Sequence, residues 1–257
     1  MQASFPTANP LSKALFRRLG LFFGLLALLS ASRVLAFDHG FGTYQAVLSR
    51  FAQGGRVDYA GLAADQAGLD GFLAECAEVS FEQYRAFTKQ QQMAFMVNLY
   101  NAALLKLVVT HWPIESVNLI GGLFSSAWNE KFVRLFEHTV ALGHLEHDIL
   151  RVEFKEPRLH FVMVRGSVGG PTLADSAYVS DMFLKRLAEA EREFLTTRPD
   201  ENRFQNDTLY VSPLFRWYRE DFGSEDGMRQ LFRTYYPDVK PETPVVFTDW
   251  DWTLNKR

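Results

Sequence analysis

Between residues 88 and 110 the chain is apolar almost all the way round a helical turn. Met93, Phe95, Met96, Val97, Leu99, Ala102, Ala103, Leu104, Leu105, Leu107, Val108 and Val109 leave no wholly polar stripe. A helix of this kind is buried on every side, so the pattern predicts a central helix rather than a surface one. Its ends are marked too: Thr88 and Gln91 form a capping-box pair, and Pro113 cannot continue the helix. Asn98, Tyr100 and Asn101 interrupt the apolar rod. An unpaired buried amide costs roughly 1 to 3 kcal/mol, so these side chains must clamp neighbouring backbone or face a functional cleft. Clamping is the commoner solution for buried polar groups.

The pattern on either side predicts shorter elements. Tyr44, Val47, Leu48 and Phe51 recur at helical spacing over 37–53, and Gly54 and Gly55 stop that helix. Val57, Asp58 and Tyr59 read as a short extended piece, 65–78 as an amphipathic helix, and Ser80 with Gln83 as the cap of another. Alternation over 131–142 predicts a hairpin, and 145–152 a short helix. The apolar run 159–164 reads as a strand covered on both faces, leading into the Gly166 to Pro171 loop. Ser180 is expected to cap a helix reaching about Leu195. A strand over 209–211 then precedes a helix opened by Ser212 and Pro213, another helix spans 225–234, and 245–247 is a late strand. Together these predict an α+β fold: a central buried helix packed against a small antiparallel sheet, surrounded by helices, in a single domain over 37–257.

The first 36 residues stand apart. Lys13, Arg17 and Arg18 precede an apolar run over 19–29, and Val34, Leu35 and Ala36 end it in a form suited to signal peptidase. A signal peptide over 1–36 implies a periplasmic or secreted protein, touching a membrane only if that segment stays uncleaved. It holds four of the 27 basic residues and no acid, so 23 bases face 30 acids in the remainder. That acidic balance argues against a nucleic-acid partner. The single cysteine, Cys76, excludes an intramolecular disulfide and occupies an apolar helical position, where a thiol packs as a small hydrophobe.

Candidate chemistry gathers in the middle of the chain. His160, within the most apolar run, could act as a general base held in one tautomer by Glu146. His144, Glu146 and His147 form HLEH, which is neither HExxH nor HxxEH, so the two imidazoles are not one turn apart about a carboxylate. Even with His138 and His160 a zinc site would need three or four converging ligands, and neither a metal nor another cofactor is expected. Ser167 lies in RGSVG rather than GxSxG; it could serve as a nucleophile beside His160, although a glycine turn is the ordinary role of such a loop. Its amides, with Arg165, could also hold an anion. Trp217, Tyr218, Trp250 and Trp252 could stack on a sugar or peptide, or fill a core.

Several marks fall in one order: Val57-Asp58-Tyr59, Asn98-Leu99-Tyr100-Asn101-Ala102, the run from Leu145 to Arg151, His160-Phe161, Gly166-Ser167 with Pro171, the run from Trp217 to Phe222, and the run from Asp249 to Asn255. In this order the chain resembles the family called domain of unknown function 547, over nearly all of 37–257. The resemblance implies a papain-like or transglutaminase-like architecture of thiol-hydrolase ancestry, with a cysteine in the loop after His160. This chain has Arg165 and Gly170 there, and no thiol. The expected pocket lies where the central helix, the Glu146 and His147 helix and the end of the His160 segment meet, lined by Asn98, Tyr100, Asn101, Arg165, Gly166, Gly170 and Trp217. Two functions follow as expectations: a non-catalytic envelope module binding a peptide, glycan or protein, or a hydrolase or acyl-transfer enzyme working without the cysteine through His160, Glu146, His147 or Ser167.

Overall fold

The computed structural model describes residues 36–121 and 126–257, and within it Asp38–Arg257 forms one compact unit. The signal-segment reading therefore falls almost wholly outside the described residues. The chain opens with α1 (Gly42–Phe51), which buries the four residues at helical spacing, and with the two-residue strands β1 (Ala52–Gln53) and β2 (Arg56–Val57). Extended backbone ends at Val57. The Asp58 carboxylate accepts the Gly61 amide at 2.8 Å, capping α2 (Tyr59–Ala64), so Tyr59 is helical rather than extended as expected. Next come α3 (Ala67–Ala77) and α4 (Phe81–Ala86), the latter opened by the Ser80 and Gln83 capping box.

The central helix is α5 (Lys89–Thr110). Thr88 and Gln91 exchange both capping-box bonds, at 2.9 and 3.2 Å, and every residue from 93 through 105 is buried. It is long and apolar enough to cross a membrane by length and composition, but here it is the core. Helices α2 and α3 pack on it, and the antiparallel hairpin β3 (Lys131–Leu135) and β4 (His138–Ala141) lies beside α3.

One helical turn, Leu142–His144, runs directly into a π-helix, Leu145–Phe154, where an ordinary helix was expected. It turns Glu146 inward against α5 and leaves His147 and Asp148 exposed. The run expected to be a strand is instead a 3₁₀ helix, Pro157–Phe161. Pro157 stands at its first turn, and the Glu156 carboxylate accepts the Arg158 amide at 3.2 Å. A short continuous apolar run fits a buried strand and a buried helical segment equally, and here the local start signal decides.

The rest builds a second core. Ser180 lies within a 3₁₀ turn, Ser180–Met182, rather than capping the helix after it, α6 (Phe183–Thr196). Strand β5 (Arg203–Gln205), not foreseen, pairs antiparallel with β6 (Thr208–Val211). Helices α7 (Leu214–Trp217) and α8 (Ser224–Arg233) follow, and β7 (Val245–Phe247) lies parallel to β6. Phe161, Phe194, Leu214, Phe215, Phe222 and Phe232 fill the space between them. The chain end then returns to the 166–169 loop: Val168 donates to the Thr253 carbonyl at 2.8 Å, and Asn255 to that of Gly166 at 3.1 Å. At Gly169 a β-carbon would lie 2.7 Å from the Asp251 amide nitrogen, so only glycine permits that approach.

Candidate functional site

The two asparagines of α5 are clamps. Asn98 donates to the Tyr178 carbonyl at 2.7 Å and accepts the Tyr178 amide at 3.0 Å. Asn101 donates to the Val162 carbonyl at 2.9 Å and accepts the Val164 amide at 3.1 Å. Each amide thus satisfies one carbonyl and one N–H of a buried irregular segment, as a neighbouring strand would. Asn101 holds the segment that connects His160 to Arg165, so the central helix fixes both side chains without itself bordering the spaces around them.

Tyr100 stands between these clamps and reaches a buried ion pair. Arg165 meets Glu146 through two hydrogen bonds, Nη2 to Oε1 at 2.5 Å and Nη1 to Oε2 at 2.7 Å, with the residues 4% and 0% exposed. The guanidinium also donates to the hydroxyls of Tyr100 at 3.2 Å and Tyr218 at 2.6 Å. The Tyr100 hydroxyl donates to Glu146 Oε2 at 3.3 Å and accepts the Trp128 indole N–H at 3.3 Å. Burial alone would raise the Glu146 carboxyl, but the charge and hydrogen bonds of Arg165, joined by the Tyr218 hydroxyl, hold it at about 2. The same pairing raises Arg165 despite its burial. This is a bidentate pair in which both Nη groups and both carboxylate oxygens are hydrogen-bonded.

Glu146 therefore does not orient His160, as the sequence suggested. The carboxylate on His160 is Asp221, whose Oδ2 lies 2.6 Å from Nε2. Arg151 grips the same carboxylate from Nε at 2.6 Å and Nη2 at 2.9 Å. Burial opposes ionisation of Asp221, yet the hydrogen bonds from His160 and Arg151 hold it well below the usual carboxylate range. Burial also lowers His160, outweighing Asp221, which favours the neutral imidazole, with Nε2 facing the carboxylate. Its Nδ1 is buried and has no hydrogen-bond partner among the described residues. His160, Asp221 and Arg151 border a cavity of about 330 Å³ with Lys155, Glu156 and Glu220.

Tyr218 also lines an aromatic cleft of about 230 Å³. Trp128, Trp217, Trp252 and Tyr218 form its walls, and Asn118, His147 and Arg165 supply polar atoms. Trp217 is 43% exposed, and its ring lies 5.9 Å from that of Trp252, nearly parallel to it. Tyr218 lines the cleft and touches residues that border the cavity: His160 packs on its ring at 4.0 Å, and Arg151 and Arg165 lie 5.1 and 5.3 Å from its centre. Arg151 Nη1 also meets His147 Nδ1 at 3.0 Å.

Of the residues expected to line one pocket, Arg165 and Trp217 do, and Tyr100 supports Arg165 from below. Asn98 and Asn101 are the clamps just described. Gly166 and Gly170 are turn positions outside the cleft: Gly166 has φ of 67°, and a β-carbon on Gly170 would lie 3.1 Å from Arg165 Cβ. Ser167 is not beside His160; its buried Oγ accepts the Trp250 indole N–H at 3.0 Å. Cys76 is fully buried, and burial raises its thiol far above the ordinary value. The HLEH residues diverge, His144 to Asp148 at 2.7 Å, Glu146 to Arg165 and His147 to Arg151. Asp221, Arg151, Trp128 and Asn118 were not singled out from the sequence. Asp221 and Arg151 did lie in the quoted runs, but nothing local pairs Asp221 with a histidine 61 residues away.

Residues 84–195 match the model of the family described as protein of unknown function, DUF547. The match takes in α5, the Glu146–Arg165 pair and most of α6, while the marks at 57–59, 217–222 and 249–255 lie outside it. Neither a curated protein nor a solved structure matches the chain.

Proposed function

We propose, for a chain that carries a domain of the DUF547 family over residues 84–195, that it is an exported, non-catalytic binding module of the cell envelope. Its ligand is a peptide or glycan segment held in the aromatic cleft. The observation that carries this reading is the cleft itself: three of the chain's five tryptophans converge on it, one of them 43% exposed, over a floor whose charges are already paired. Aromatic faces in a shallow cleft stack on sugar or peptide planes, while Asn118 and His147 can orient them. The state of the nucleophiles supports the same reading. The one thiol is buried, and the Ser167 hydroxyl is engaged by Trp250.

The test is a titration of intrinsic tryptophan fluorescence with envelope oligosaccharides and with short peptides. Saturable quenching is expected for one class, and Trp217→Ala should weaken it by about two- to tenfold, as the loss of one aromatic stack of roughly 0.5–1.5 kcal/mol requires. Quenching that fails to saturate with either class would overturn the proposal. Export is tested apart from this, by mass spectrometry of the mature N-terminus, which should begin after Ala36.

One observation favours a second reading. The His160–Asp221 pair beside a 330 Å³ cavity is an imidazole with one nitrogen on a carboxylate, the arrangement of a general base acting on water. A hydrolase predicts cleaved ligand after long incubation, and loss of cleavage in His160→Gln. The binding module returns the ligand intact.

A further inference from the structure

A third cavity, away from both of these, lies where α3, α5 and β3 meet. Its volume is about 310 Å³, at the lower end of the roughly 300 to 1,000 Å³ typical of small-molecule sites. Leu73, Leu99, Leu107, Phe132 and Val133 make it chiefly apolar, and Ala74 and Ala77 leave room at the α3 side. The space exists because the hairpin packs on α3 over two alanines, where larger side chains would close it.

The charges around it are mostly spoken for. Lys106 Nζ is held by Asp70 at 2.6 Å and by Gln66 at 2.7 Å. Glu130 meets His111 at 3.0 Å. Arg134, exposed on β3, pairs with no carboxylate among the described residues. An apolar chamber with one uncommitted guanidinium in its lining suits a ligand with a hydrocarbon body and an anionic end. We propose that this cavity binds a medium-chain carboxylate, the chain among the leucines and Phe132 and the carboxylate at Arg134. Burial of the methylenes supplies most of the affinity, and Arg134 selects the head group. This site is independent of the aromatic cleft and of whatever that cleft holds.

The experiment is displacement of a fluorescent fatty-acid probe from the whole protein by octanoate, decanoate, decanol and decylamine, each below its aggregation threshold. Decanoate should compete at one site, about tenfold better than octanoate because two further methylenes are buried. It should exceed decanol and decylamine, and Arg134→Gln should remove about threefold of that preference, the size of one exposed charge contact. Ala74→Phe and Ala77→Phe should abolish binding while the melting temperature holds; Ala74 is exposed and Ala77 half-buried, so either ring enters the cavity and not the core. Trp217→Ala should change nothing. Binding unaffected by both alanine replacements, decanol matching decanoate, or no saturable displacement would each overturn the proposal.

Discussion

The two charge clusters that Tyr218 touches are built from the same parts, an arginine, a carboxylate and an aromatic wall, yet they end differently. Arg165 and Glu146 sit at 4% and 0% exposure, and Tyr100, Tyr218 and Trp128 complete their hydrogen bonds. Around Asp221, Arg151 is partly exposed, and His160 keeps a buried nitrogen without a partner. A saturated cluster holds shape; an unsaturated one keeps a basic nitrogen that a proton can occupy. The first cluster forms the floor of the aromatic cleft, and the second borders the space where a base would act.

Breaking the saturated cluster should give the largest effect. Arg165→Met or Glu146→Leu alone leaves a charge buried without its partner, expected to cost about 3–5 kcal/mol. The double replacement removes both charges and should recover most of that loss. Urea unfolding of the four proteins in the cycle measures the coupling. A double variant no more stable than the single ones would show that the pair also carries the fold through its tyrosine partners.

The two asparagine clamps of α5 come next. Asn101→Ala leaves the Val162 carbonyl and the Val164 amide unpaired, and Asn98→Ala does the same at Tyr178. Each should cost on the order of 1–3 kcal/mol. They separate in a second readout. Asn101→Ala loosens the segment between His160 and Arg165 and should disturb both clusters, raising amide exchange there; Asn98→Ala should raise it near Tyr178 alone.

How far these features can be read from the chain follows the range of the forces that set them. Helix α5 was legible because its burial pattern and its caps are local: Thr88, Gln91 and Pro113 sit within or next to the element they define. That Asn98 and Asn101 need partners followed from the same pattern, but not which carbonyls they would find 80 and 61 residues away. The 159–164 run was misread because an apolar stretch has no period to distinguish a strand from a 3₁₀ turn; the Glu156 and Pro157 start signal carried that information. The choice between Glu146 and Asp221 as the partner of His160 is tertiary. Two carboxylates were available in the sequence, and it is Arg165, placed by the Asn101 clamp, that claims one of them and leaves the histidine to the other.

The smallest effect is the one that reads the unsaturated cluster directly, through pH. Burial lowers His160 from its ordinary value of 6.5, so the folded protein keeps it neutral where the unfolded chain already binds a proton. As pH falls below 6.5 the unfolded state takes up that proton first. Stability from this group is complete above 6.5 and drains away toward the lower folded value, with a slope of at most about 1.4 kcal/mol per pH unit. Asp221 acts in a separate window. Its folded value is depressed, so its contribution holds above 3.8 and fades only below that. His39 is also lowered by burial and adds to the upper window, so the informative quantity is a difference. Between pH 7 and 5, the stability of the unmodified protein minus that of His160→Gln should fall with pH, since glutamine keeps a hydrogen bond to Asp221 without titrating. A difference that instead rises as pH falls would mean that His160 is already protonated in the fold, stored as an ion pair with Asp221 like the one Arg165 makes with Glu146. The contrast between the two clusters would then collapse, and with it the reading of His160 as a base held ready beside the 330 Å³ cavity.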